Sequence, residues 1–218
     1  MRCVRISARK ESLLEPDSPL WRSVPSESIG LVPTPLANQP SPYVVAACDP
    51  RKHGRVRRLA VQAAHDGETI AFRLEWKDPH RDEDTQDADR FPDACGILFP
   101  LREGNPPLLE MGSPSAPVNA WYWRADANGE VRNTIAHGLG TTESTPRSAI
   151  RARAAWRRGV WSVVLARPLL VPDQADETVQ LSPGTGVRVA FAVWEGSNGE
   201  RAGLKSFSGE WRELVIET

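Results

Sequence analysis

Thr69-Ile70-Ala71-Phe72-Arg73-Leu74-Glu75-Trp76 alternates apolar and polar residues with a period of two, the pattern of a half-buried β-strand. Asp66-Gly67 stands before it as a hairpin turn, and Val56 to Ala64 before that turn alternates more loosely. Two strands joined tightly set the theme for the rest of the chain. Further strands are expected at Gly96–Phe99, Asn119–Ala125 and Glu130–Ile135, the last two joined at Asn128-Gly129. Ile150–Trp156 and Trp161–Arg167 flank an Arg157-Arg158-Gly159 link, and Val187–Trp194 and Trp211–Glu217 complete the set. No segment carries a sustained 3.6-residue apolar stripe. About nine short strands with Gly, Asp and Asn turns predict an all-β fold, an antiparallel β-sandwich with few short helices.

The prolines divide the chain. Pro16, Pro19, Pro25, Pro33, Pro35, Pro40 and Pro42 forbid a long helix across residues 12–50. Residues 1–50 therefore read as an extended Pro-rich segment packed on a domain formed by residues 51–218, with Trp21, Leu31 and Leu36 as its anchors. A disordered linker is the alternative. The length of 218 residues suits one large domain or two small ones.

Composition removes several classes of function. A formal charge of -1 supplies no basic field for nucleic acid. Cys3, Cys48 and Cys95 form no CxxC or CxxCH pattern, which argues against structural zinc and covalent haem. No stretch is long and apolar enough for a membrane span. The basic N-terminus has no apolar run behind it, so no Sec-type signal is expected. His53, His65, His80 and His137 are scattered and read as surface or hairpin residues. With no Gly-x-Ser-x-Gly elbow and no phosphate loop, an independent enzyme has no foothold. The acidic stretch Asp78–Asp89 lacks the order of a calcium loop and reads as solvated. The basic run Arg51–Arg58 reads as an exposed face, with docking to an acidic partner or to haem propionates as alternatives.

Two residues stand out against this background. Met111, the only methionine after the initiator, lies in a Pro/Gly/Ser loop (Pro106-Pro107-Leu108-Leu109-Glu110-Met111-Gly112-Ser113-Pro114) just before Trp121-Tyr122-Trp123. A lone methionine ordinarily fills a core gap, but a loop position suits a thioether ligand. Only four of the 27 basic residues are lysines, and one of them, Lys205, sits in another glycine-containing loop between Trp194 and Trp211. A lysine is ordinarily solvated. Unlike arginine, however, it can lose its proton when buried near a cation and donate a nitrogen lone pair. Trp121 and Trp123 share one strand face. With Trp194 they would also suit a carbohydrate-binding module that stacks sugars on tryptophan platforms, a rival reading.

A resemblance joins these pieces. Leu31-Val32-Pro33-Thr34-Pro35-Leu36, Arg73-Leu74-Glu75-Trp76, Met111-Gly112, Pro117-Val118-Asn119-Ala120-Trp121-Tyr122-Trp123, and Phe191 to Arg201 through Lys205-Ser206 resemble the haem b (gamma) subunit of type II dimethyl sulfoxide reductase-family molybdoenzymes. The likeness is greatest to the gamma subunit of ethylbenzene dehydrogenase and runs from about Leu13 to the C-terminus. It implies a non-catalytic electron-transfer subunit with one non-covalent haem b, and Met111 and Lys205 as the axial ligands of its iron. Trp121, Trp123, Asn119 and Phe207 are expected to line the cofactor. A heterotrimer is also implied, with a molybdopterin-containing catalytic subunit and an iron–sulfur subunit. Electrons would pass between the iron–sulfur subunit and an external acceptor such as a soluble cytochrome. For the whole complex the resemblance favours hydrocarbon or steroid oxidation and leaves chlorate, selenate and dimethyl sulfide open. The resemblance also implies a periplasmic location, which would be reached by co-export with a partner carrying a twin-arginine signal.

Overall fold

The computed structural model describes residues 1–7, 10–39, 41–85, 90–102, 104, 107–109 and 111–218. The end of the acidic stretch (residues 86–89) and parts of the loop before Met111 (103, 105, 106 and 110) lie outside the described residues, as does Pro40. Fourteen strands are present among the described residues: β1 (Arg2–Arg5), β2 (Glu27–Gly30), β3 (Val32–Pro33), β4 (Arg58–His65), β5 (Thr69–Lys77), β6 (Ala94–Pro100), β7 (Val118–Arg124), β8 (Val131–Ala136), β9 (Glu143–Ser144), β10 (Arg151–Trp156), β11 (Val160–Pro168), β12 (Gly186–Trp194), β13 (Ser206–Phe207) and β14 (Arg212–Ile216). The α-helices are short: α1 (Lys10–Leu14) and α2 (Pro42–Ala46).

The expected hairpins form for local reasons. Asp66 Oδ1 accepts from the N–H groups of Glu68 and Thr69 and closes the β4–β5 turn. Arg158 (φ 51°) and Gly159 (φ 77°) make the two-residue β10–β11 loop, and Asn128 (φ 49°) with Gly129 (φ 83°) turns β7 into β8. Both central residues lie in the left-handed region, whose twist matches that of the flanking strands.

One layer runs β10-β11-β5-β4-β1-β14, the other β6-β7-β8-β9, and β12 belongs to both. Residues Gly186–Val189 of β12 pair with β14, while Ala190–Trp194 pair with β6. Side chains from the two layers interdigitate: Phe72 meets Trp121 at 5.7 Å, and Trp161 meets Trp123 at 5.3 Å between ring centroids. The sandwich departs from the sequence reading in two respects. Five short strands, β1, β2, β3, β9 and β13, add to the nine expected, and β1 runs parallel to both of its neighbours, β4 and β14, so the first layer is mixed. Arg2–Arg5 is too short to show a period, and only its two neighbours make it a strand.

Residues 1–50 contribute β1, β2, β3 and both α-helices. Leu13, Trp21 and Val24 are buried against Ala64, Ala71, Val164 and Ala166, closing the outer face of the first layer. The outer face of the second layer is covered differently. It lies under loops, and that is where the cavity forms.

Candidate functional site

Strand parity builds the floor. In β7, Trp121 and Trp123 point between the layers, so Ala120 and Tyr122 point out. Gly96 faces Tyr122 and Ala192, and Leu98 faces Ala120 and Ala190 on the adjoining strands. Small residues at alternate positions leave a flat apolar surface under a cavity of about 400 Å³. Tyr122 meets Trp194 edge-on at 5.1 Å and walls one side.

Two loops close over this floor. Met111 has φ 73°, a left-handed conformation that costs a non-glycine residue about 1–2 kcal/mol. The turn holds because Gly112 N–H donates to Leu108 O at 2.8 Å, and Gly138 N–H donates to Met111 O at 2.9 Å. Gly112 is required here: a Cβ would lie 2.7 Å from Ala116 O, and φ is 77°. Trp211 Nε1 donates to Pro107 O at 2.8 Å and anchors the same loop. The second loop is anchored likewise by Trp194, whose Nε1 donates to Ala202 O at 2.9 Å. Thus the two tryptophans that bracket Lys205 in sequence fix one loop each.

Met111 Sδ and Lys205 Nζ, 94 positions apart, approach to 4.0 Å inside this cavity. Lys205 Nζ also stands 5.0 Å from the centroid of the Trp194 ring. Burial pushes the Lys205 amine down from 10.5 to about 8, because the ammonium ion loses its hydration. The neutral amine is then accessible near neutral pH. A thioether on one side and an amine on the other would span about 4.3 Å across a first-row metal ion, judged by ordinary metal–sulfur and metal–nitrogen bonds. The donor set and its spacing therefore fit an iron centre.

Phe207, next to Ala192 across the β12–β13 ladder, also lines the cavity. Of the other expected contacts, Trp121 lines the cavity even though its ring, 0% exposed, packs in the inter-layer core. Two are corrected. Trp123, at 2% exposure, packs in that core. Asn119 faces the same core. Its Nδ2 donates to Asn133 Oδ1 at 2.7 Å, and its Oδ1 accepts from Thr178 Oγ1 and Val179 N–H at 3.1 Å, pinning the chain at residues 178–179. Parity placed the two tryptophans together; the choice of face depended on Phe72 and Trp161 in the opposite layer. Sequence reasoning missed Tyr122 and the small floor residues, whose signal was the other half of the same alternation.

The histidines divide too. His80 and His137 are exposed and His65, though buried, sits at the β4–β5 hairpin, all within the surface-or-hairpin reading, while His53 is buried against it. The acidic stretch begins with Asp78, which is fully buried and not solvated. Ligand atoms of Asp78, His80 and Glu195 lie within 4.8 Å of one another. The carboxylates already have partners in the chain: Asp78 accepts from Trp76 Nε1 and His80 N–H, and Glu195 accepts from Ser197 and Asn198. Burial first, then Asp93 and Glu195, push the Asp78 carboxyl up from 3.8 to about 8. A carboxyl with a raised folded pKa holds its proton more tightly when folded. Its stabilising contribution is complete below about 4 and is lost as pH rises through about 8. The protein is therefore expected to lose stability across that window. Asp78→Asn should flatten the slope and raise Tm at pH 8 by roughly 2–4 °C for each kcal/mol recovered. Thermal melts from pH 4 to 9 decide this, and equal slopes in the two proteins would refute it.

The free cysteines form no disulfide, with Cys3 and Cys95 buried. Among the described residues, no helix is long and apolar enough to cross a membrane.

Comparison with known proteins places the chain. The family model described as ethylbenzene dehydrogenase matches residues 18–146 and 133–206. The ORF7 protein of Haloferax mediterranei, assigned as a respiratory nitrate reductase heme subunit, is 36% identical over 90% of this chain and 66% of its own length. The chlorate reductase subunit gamma of Ideonella dechloratans is 33% identical over 91% of this chain and 78% of its own. The dimethylsulfide dehydrogenase subunit gamma of Rhodovulum sulfidophilum is 31% identical over 90% and 73%. In fold the chain is similar to a family 9 carbohydrate binding module from Caldicellulosiruptor kristjanssonii, with a TM-score of 0.54 and 8% identity over 100% of this chain and 95% of that one. It is also similar to a carbohydrate-binding protein from Bacteroides uniformis, with a TM-score of 0.57 and 9% identity over 100% and 98%. At such identities these two likenesses concern the sandwich alone. With the family model spanning most of its length and relatives above 30% identity, the chain belongs to the ethylbenzene dehydrogenase family.

Proposed function

We propose that this chain holds one haem b between Met111 and Lys205 and serves as the non-catalytic electron-transfer subunit of a molybdenum oxidoreductase complex. The observation that carries the reading is the 4.0 Å approach of a thioether and a depressed-pKa amine inside an apolar cavity. The names of the relatives support it, being a heme subunit and gamma subunits of oxidoreductases. Bound haem iron supplies one-electron redox chemistry, its potential set by ligands, burial and hydrogen bonding. The chain's own part would be to present two donors, Met111 and Lys205, from opposite loops. Gly96, Ala120 and Ala192 give a flat floor, and the apolar walls exclude water. Partners in this reading are a molybdopterin-containing catalytic subunit and an iron–sulfur subunit. A further acceptor, such as a soluble cytochrome, would take the electrons onward. Substrate chemistry belongs to the catalytic partner; the named relatives already span nitrate, chlorate and dimethylsulfide.

The sugar-platform reading keeps one of its three rings: Trp121 and Trp123 have theirs packed in the inter-layer core, and Trp194 alone lines the cavity with its ring, beside Lys205 Nζ. The test is direct: the purified chain, titrated with haemin, should bind one equivalent and give a red, low-spin, six-coordinate spectrum. A protein that stays colourless under titration and binds soluble oligosaccharides would reject the proposal.

A further inference from the structure

The Lys205 loop has little regular structure of its own. Gly199 and Ala202 both have positive φ, at 72° and 51°, and the loop reaches a strand only at β13. Something outside it must fix where the amine stands. At its start, the buried Glu200 carboxylate accepts from Gly54 N–H at 2.6 Å and from Glu195 N–H at 3.0 Å. At its end, Thr34 engages the backbone three times. Thr34 N–H donates to Lys205 O at 2.9 Å, Lys205 N–H donates to Thr34 Oγ1 at 3.2 Å, and Thr34 Oγ1 donates to Gly203 O at 2.6 Å. His53 lies between the two ends: its Nε2 donates to Thr34 O at 2.9 Å, while its buried Nδ1 stands 3.5 Å from Glu200 Oε1 without a hydrogen bond.

We propose that Thr34, braced by the buried His53–Glu200 pair, is a positioning residue that holds the Lys205 amine at the cavity; this rests on reading Lys205 as an axial donor. Three features favour positioning over general packing. First, every Thr34 contact listed above falls on the lysine's own loop or on the brace. Second, the brace is out of solvent, with His53 8% and Glu200 1% exposed, so water cannot substitute for the bonds it makes. Third, Gly54 admits no side chain, since a Cβ there would lie 2.4 Å from Pro33 Cβ, so the brace is seated tightly against the segment that carries Thr34. Groups outside the metal's own donors set ligand orientation and tune the centre.

The full-length chain loaded with haemin provides the test, read by optical spin state, midpoint potential and the rate of haem transfer to an acceptor protein. Thr34→Val removes the hydroxyl at nearly constant volume and should give a high-spin fraction and about 10-fold faster haem loss. Thr34→Ser should restore the low-spin spectrum. Glu200→Gln, which loosens the other end, should reproduce the valine effect if Thr34→Val does not fold. Thr145→Val is the matched control, since Thr145 Oγ1 also donates to a backbone carbonyl, that of Arg147 at 2.6 Å; it should lower Tm and leave the spectrum alone. Wild-type spectrum and retention in both Thr34→Val and Glu200→Gln would overturn the positioning role. So would a spin-state change in Thr145→Val equal to that in Thr34→Val. A wild-type chain without a low-spin spectrum would instead reject the axial assignment beneath it.

Discussion

Lys205→Ala is expected to convert the haem-loaded protein from low to high spin and to weaken haem retention by at least about 100-fold, more than the loss of an outer-shell partner usually costs. Met111→Leu should do the same while keeping the volume of the side chain. Arginine is the informative substitution. Lys205→Arg keeps positive charge and reach, but the guanidinium does not give up its proton, so it should fail like alanine. If lysine acted only as a cation over Trp194, arginine would serve as well. The pH dependence has a definite sign. The metal-free amine titrates at about 8, and binding requires its neutral form, so haem affinity should rise about tenfold per pH unit below 8 and level off above. Lys205→Ala should remove that slope. Spectrophotometric haemin titrations of the three variants between pH 6 and 9.5 measure all of this. An unchanged spectrum in both Lys205→Ala and Met111→Leu would reject the axial pair.

What the sequence discloses here follows from how local each feature is. The β4–β5 and β10–β11 hairpins were legible because alternation and turn chemistry act within a few residues. Asp66 and Gly159 carry the information alone. β1 was not legible: four residues that pair in parallel with β4 and β14 owe their strand character to chain segments about 60 and 210 positions away. The orientation of β7 failed for another reason. Both of its faces are covered, one by the opposite layer and one by loops, so aromatic residues occur at consecutive positions 121, 122 and 123. Alternation then tells which residues share a face but not which face is the core. The two cavity donors were legible as oddities, a loop methionine and a rare lysine. Their 4.0 Å approach was not, since it depends on contacts of Thr34 and Trp211 with the two loops across more than 100 positions of chain.

The sharpest consequence of the corrected β7 orientation concerns stability. Trp121 is fully buried, with its ring 5.1 Å from Phe99 and 5.7 Å from Phe72. The Arg167 guanidinium lies over the same ring at 4.9 Å. Arg167 is itself 2% exposed and donates to the carbonyls of Pro168, Leu169 and Val179, and burial lowers its pKa to about 10. Trp121→Ala therefore opens a cavity and leaves a buried cation without the ring it rests on. A cost of roughly 3–5 kcal/mol follows for a large buried aromatic, which for a chain of this length is about 6–20 °C in Tm. Tyr122→Ala, one residue along, should cost less stability, because its ring meets the half-covered cavity and not the core. It should instead disturb haem retention through Trp194, which it contacts edge-on. The two neighbours thus separate fold from site. In Trp121→Ala the molecules that remain folded should keep the wild-type haem spectrum; in Tyr122→Ala the melt should move little and the spectrum more. Thermal melts and haem spectra on both variants decide the matter. The reverse pattern, a stable Trp121→Ala with an altered site, would return Trp121 to the ligand face and undo the placement of the cavity on the outer side of the second layer.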